Sequence, residues 1–122
     1  MIKTISNIEF STSEIKGIRY VSGNEEFVIG HYPHQSIFPG VLSLKLIISL
    51  LQDYCARMKI NGTIKSIPKV QYLGIIEPGD ELLIHIKKND ETDYTINFTG
   101  EILSDISKKV KANIIINKDY GE

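Results

Sequence analysis

The chain has 122 residues, a formal net charge of −1 and 42% apolar residues, with a single cysteine, Cys55. That length fits one domain spanning residues 1–122, and near-neutral, interspersed charge excludes the basic stripe of a general nucleic-acid binder. One cysteine excludes an intrachain disulfide and a cysteine-built zinc site, and a reducing, cytoplasmic setting fits; no metal or cofactor is expected.

In chain order, residues 1–6 lack the uninterrupted apolar core of a signal peptide. Ile2, Ile5, Ile8 and Phe10 are scattered among Ser and Thr, and Ile15 to Val21 is a β-branched and aromatic run closed by Ser22-Gly23-Asn24, so the N-terminal third reads as strand. Phe27-Val28-Ile29 leads into a loop. Pro39 suits a first helical turn, where a missing N–H costs little. From Gly40 to about Lys59, Leu42, Leu46, Ile47, Leu50, Leu51, Tyr54 and Met58 recur at helical spacing. Val41, Leu44, Ile48 and Cys55 widen the apolar face, which predicts a buried helix. Lys45, Ser49 and Gln52 or Asp53 form its one polar stripe, and Asn61-Gly62 is expected to end it. The stretch Val41 to Leu51 is too short and too polar to span a bilayer, so no membrane insertion is expected.

Four strands should follow, as a meander. The first runs from Ile64 to Ile76. After a turn at Glu77-Pro78-Gly79-Asp80, Glu81 to Lys88 alternates, with Leu82, Ile84 and Ile86 on one face and Leu83, His85 and Lys87 on the other. Turns are expected at Asn89-Asp90-Glu91 and Ser104-Asp105, around strands Tyr94 to Ile102 and Val110 to Ile116. Strands, one central helix, then strands make an α+β pattern with an antiparallel sheet.

The loop ahead of the helix reads Gly30-His31-Tyr32-Pro33-His34-Gln35-Ser36-Ile37-Phe38-Pro39-Gly40-Val41. It resembles the active-site loop of the hot-dog-fold 3-hydroxyacyl-(acyl-carrier-protein) dehydratases, G-H-F-P-x-x-x-I-F-P-G-V-L-x-x-E. Upstream, Val21 to His31 is similar to their V-T-x-N-E-x-F-F-x-G-H. Downstream, Lys69 to Asp80 is similar to A-R-F-x-x-P-V-x-P-G-D. The likeness runs from about Gly17 to the C-terminus, and the family's N-terminal H-R-x-P-F-L-L-x-D stretch has no counterpart. The resemblance implies a hot-dog fold, an antiparallel sheet wrapped around one long helix, and a dimer paired through the sheet.

Dehydration of a 3-hydroxyacyl thioester needs a base for the C2 proton, a donor to the thioester oxygen and an acid for the leaving C3 hydroxyl. The resemblance assigns the base to His31, a residue type whose ordinary pKa of about 6.5 suits the task. It assigns the oxyanion site to the amides of Gly40 and Val41, at a helix N-terminus. Tyr32, Pro33, Phe38, Pro39 and Ser49 would line the substrate tunnel. The family's carboxyl acid falls at Lys45, which cannot act in that way. Asp53 lies eight residues on, roughly 12 Å along the helix, and the loop-borne His34 is a weak substitute. In the family, the histidine and the carboxylate of one site come from opposite subunits. This chain would therefore be a homodimer, or a heterodimer with a paralogous hot-dog subunit that supplies the acid opposite His31.

Two other readings stand beside this one: a non-catalytic subunit binding acyl thioester or carrier protein, and a hot-dog thioesterase. Lys45 could face solvent or snorkel. Arg57, Lys59, Lys69, Lys108, Lys109 and Lys111 could meet an acidic acyl carrier protein or simply form solvated faces. His85 reads as a strand residue and Cys55 as a small buried one.

Overall fold

The computed structural model describes residues 5–21 and 40–119. Six strands, β1 (Ser6–Phe10), β2 (Glu14–Tyr20), β3 (Gly62–Tyr72), β4 (Glu81–Glu91), β5 (Thr95–Ser104) and β6 (Ser107–Lys118), form one sheet, and α1 (Gly40–Arg57) packs on it. This is an α+β hot-dog fold. Every strand pair is antiparallel and the order is β1-β2-β4-β5-β6-β3.

The order corrects the expected four-strand meander. Of the four strands after the helix, β4, β5 and β6 are joined as successive neighbours, while β3 crosses to pair with β6 and β4 takes β2 on its other side. Several boundaries also shift. β3 ends at Tyr72 rather than Ile76, with Leu73 held by its amide on the Lys109 carbonyl at 2.8 Å. β4 runs through the turn expected at residues 89–91, because Asn89 and Asp90 find cross-strand partners instead. Asn89 Nδ2 donates to Thr99 Oγ1 at 2.7 Å, and Asn97 Nδ2 donates to Asp90 Oδ2 at 3.2 Å. The turn falls at Thr92, whose hydroxyl accepts from the Thr95 amide at 3.0 Å, a local side-chain turn. The turn at Glu77 to Asp80 forms as expected, with the Glu77 amide on Asp80 Oδ2 at 2.8 Å and Gly79 at φ +95°.

The helix buries the face its spacing predicts. Leu46, Ile47, Leu50, Leu51 and Tyr54 meet Ile15, Leu82, Ile84, Ile86, Ile96, Phe98 and Ile102 in one core. At roughly 25 cal/mol per Å² of apolar surface, this burial is the main force holding α1 on the sheet. Tyr54 packs edge-on to Phe98, ring centroids 5.6 Å apart, and its hydroxyl donates to the Thr12 carbonyl. Gly100 sits beneath Ile47, where an added Cβ would come within 2.5 Å of Ile47 Cγ2.

The helix does not end at Asn61-Gly62. Lys59 adopts φ +57°, its amide donates to the Ala56 carbonyl at 3.3 Å, and the Ile60 amide reaches back to the Cys55 carbonyl at 2.8 Å. This is a Schellman cap with lysine in the left-handed position usually held by glycine. Gly62 serves close packing instead, since a Cβ there would lie 2.6 Å from the Asn117 carbonyl oxygen.

Candidate active site

His31 is the base that the resemblance implies. It lies outside the described residues, as do Tyr32, Pro33, His34, Phe38 and Pro39. The structure does describe what that loop feeds into, the first turn of α1 beginning at Gly40. The first amides of a helix have no partner within it and carry the positive end of its dipole. No acidic side chain occupies that turn, and the Ser43 hydroxyl donates to the Gly40 carbonyl at 2.6 Å rather than capping an amide. The amides of Gly40 and Val41 thus belong to a first turn that carries no carboxylate of its own to compete for their dipole. A further reason for glycine at position 40 is the Tyr72 ring, whose Cε1 would sit 3.0 Å from an added Cβ. Gly40, Ser43, Tyr72, Ile75, Ile76 and Val110 border a small cavity of about 220 Å³ there.

Lys45 is exposed, as are Ser49 and Gln52, so the polar stripe read from the sequence is an open face of α1. Asp53, one possible acid, is half-buried and bound to Arg57, with Arg57 Nε 3.2 Å from Asp53 Oδ1. Further along the stripe, Gln52 and Ala56 join Leu51, Cys55, Ile64 and Ile116 around an open cavity of about 800 Å³, between the C-terminal half of the helix and the start of β3. That volume is in the range of small-molecule sites. Sequence reasoning missed this groove, because Ile64 and Ile116 come together only through the β3–β6 pairing. Burial in its wall pushes the Cys55 thiol up from its ordinary value.

His85, Lys108 and Lys118 find ordinary structural partners, Lys118 Nζ donating to the Thr92 carbonyl at 2.8 Å. His85 is on the outer sheet face with its Nε2 2.6 Å from Glu14 Oε1; this hydrogen bond, helped by the charges of His85, Lys16 and Lys87, holds the Glu14 carboxyl below its usual range against the opposing effect of desolvation. Lys108 bridges Glu101 at 2.9 Å across the β5–β6 hairpin. Among the described residues there is no group of three or more His, Cys, Asp or Glu side chains placed to hold a metal ion, and no helix long and apolar enough to cross a membrane.

Comparison with known proteins places the chain. It is 29% identical over 125 residues to the 3-hydroxyacyl-acyl-carrier-protein dehydratase FabZ of Agrobacterium fabrum, covering 99% of this chain and 77% of that protein. It is 30% identical over 88 residues to the protein of the same name from Syntrophobacter fumaroxidans, covering 66% of this chain and 58% of that one. Among solved structures it is similar to the dehydratase heterocomplex ApeI:P from Xenorhabdus doucetiae, with a TM-score of 0.75 at 21% identity over 96% of this chain and 99% of that one. It also resembles a hypothetical thioesterase from Streptococcus pneumoniae solved with coenzyme A, with a TM-score of 0.79 at 13% identity over 95% and 84% of the two chains. At those identities the structural likenesses speak for the fold alone. The sequence model of the ApeI dehydratases matches residues 7–111, across the strands, the loop and the helix described above, and the chain belongs to the ApeI-like dehydratase family.

Proposed function

We propose that this chain is one half of a heteromeric dehydratase acting on 3-hydroxyacyl thioesters held on an acyl carrier protein. His31 removes the C2 proton. The thioester oxygen takes up the negative charge against the Gly40 and Val41 amides, the C2–C3 double bond forms, and the C3 hydroxyl leaves as water with a proton from an acid on the partner subunit. The single observation that carries the heteromeric reading is Lys45. It stands exposed on the helix face where the family places its carboxyl acid, and Asp53 on the same helix is engaged by Arg57. The relatives' names support a carrier-bound acyl substrate, and the Xenorhabdus protein is a precedent for a dehydratase heterocomplex that includes a chain of this fold.

The geometry offers a place for such a partner. β3 is an eleven-residue strand at the sheet edge, and beside its end Tyr72, Leu73 and Ile75 are 54%, 51% and 60% exposed. Pairing there would cover the exposed stripe of α1 and turn Ser49 and the open groove into tunnel wall.

The test is turnover of a 3-hydroxyacyl carrier protein, read by mass spectrometry as loss of one water. The chain alone should be inactive. Reconstituted with a paralogous subunit bearing glutamate at the position of Lys45, it should turn over, and His31→Ala should abolish that turnover while leaving the complex assembled. A silent His31→Ala would instead make this chain a binding subunit that supports an active partner.

A further inference from the structure

The edge of β3 that pairs with no described strand carries a feature that bears on which partner it accepts; the inference rests on the heteromeric reading above. From Lys69 to Tyr72 the strand pairs with β6 in unbroken register, Lys69 opposite Asn113 and Tyr72 opposite Val110. The Leu73 amide donates to the Lys109 carbonyl. Amides alternate in direction along an antiparallel strand. Leu73, Gln71 and Lys69 therefore turn their N–H groups to β6, while Tyr72 and Val70 turn theirs outward. The next outward position is Pro68, which is exposed and has no N–H. Near the other end the Asp119 amide donates to the Asn61 carbonyl, and the register opposes Gly62 to Lys118 and Ile64 to Ile116. The same alternation leaves Gly62 and Ile64 facing outward. Between Ile64 and Lys69 the register with β6 shifts twice, so the gap in the row of donors falls at a bend near the middle of the strand.

An edge strand with a bulge and a proline resists indiscriminate pairing. Here the cost also depends on the partner's identity. Two identical copies meet through a two-fold axis, and the interface is isologous. Any two-fold pairing of β3 with itself that reaches the strand's middle brings in the missing donor twice, once from each copy. A β3 strand of different sequence, with an N–H at the facing position, meets the gap once. We infer that Pro68 is a specificity-determining residue for assembly: it disfavours pairing of this chain with itself and favours a second, non-identical hot-dog subunit whose β3 carries no proline at its middle. This is selection by a penalty on the wrong partner rather than by a new contact with the right one.

The experiment is a self-association series by sedimentation velocity on the full chain, wild type against Pro68→Thr, which restores the amide. Each net hydrogen bond is worth roughly fivefold in an association constant, so self-association should tighten by about 25-fold, the square of the single-bond effect. Val70→Pro, which removes an outward donor, should weaken self-association further while leaving the thermal midpoint little changed. Lys69→Pro, which removes an amide bonded to β6, should lower the midpoint. Equal self-association of wild type and Pro68→Thr would overturn the inference, as would a wild type already tightly dimeric that Pro68→Thr does not tighten. A Val70→Pro chain that melts as early as Lys69→Pro would overturn the assigned strand orientation. Because sedimentation reads association and not turnover, failure here leaves the dehydratase reading to its own assay, and failure of that assay leaves this result standing.

Discussion

On one side of α1, Leu46, Ile47, Leu50, Leu51 and Tyr54 are at most 1% exposed; on the other, Lys45, Ser49 and Gln52 are open to solvent. The first face meets a sheet of the same chain and is fully satisfied within it. The second is left open by the described residues, and it begins at Lys45, between one and two turns from the helix end to which the family's chemistry belongs. One face makes the fold and the other is available for function, and residues on the two should respond to mutation in opposite ways.

The sharpest contrast is on the buried face. Leu50→Ala should cost about 2–5 kcal/mol in urea unfolding, because the transfer energy and the cavity add, with a midpoint lowered on the order of 10 °C. A cost below about 1 kcal/mol would break the division between the faces. A smaller effect is expected from Tyr54→Phe, which keeps the ring on Phe98 and removes only the donor to the Thr12 carbonyl. That should cost about 1 kcal/mol, read by the same unfolding curve. Smallest for stability is Lys45→Glu, within about 0.5 kcal/mol for an exposed position. Its effect should fall instead on turnover: if the missing carboxyl is the only defect, the variant alone should release water from a 3-hydroxyacyl carrier protein. A well-folded, paired and inactive Lys45→Glu chain would mean that the open face lacks more than one group.

Both faces of the helix were legible in the sequence, because a 3.6-residue period and its polar exceptions are local. The alternation in β4 was legible for the same reason: Leu82, Ile84 and Ile86 are buried together. What local pattern could not supply was non-local pairing. The run after Gly62 reads as the first strand of a meander, but its partner is β6, some fifty residues on, and the groove between Cys55, Ile64 and Ile116 follows from that pairing. Composition misled at Asn89-Asp90, whose side chains found cross-strand partners, and at Lys59, where tertiary packing fixes a left-handed residue that sequence would assign to glycine. Of the catalytic set, the motif named His31 and the helix start by resemblance, and the structure describes only the half that the helix carries.

Gly100 has a consequence for any site built across two subunits. Its bare backbone is the seat on which Ile47 rests, and a methyl group there would come within 2.5 Å of that side chain where ordinary contact begins at 3.4 Å. The helix would have to rise by about the difference. Lys45 and the Gly40 turn ride on the same rigid rod, so they would rise with it. In the two-subunit site proposed above, alignment between one subunit's base and the other's acid would be set in part by an atom that is absent from the far side of the core. Gly100 would then act as the gauge block of that proposed site.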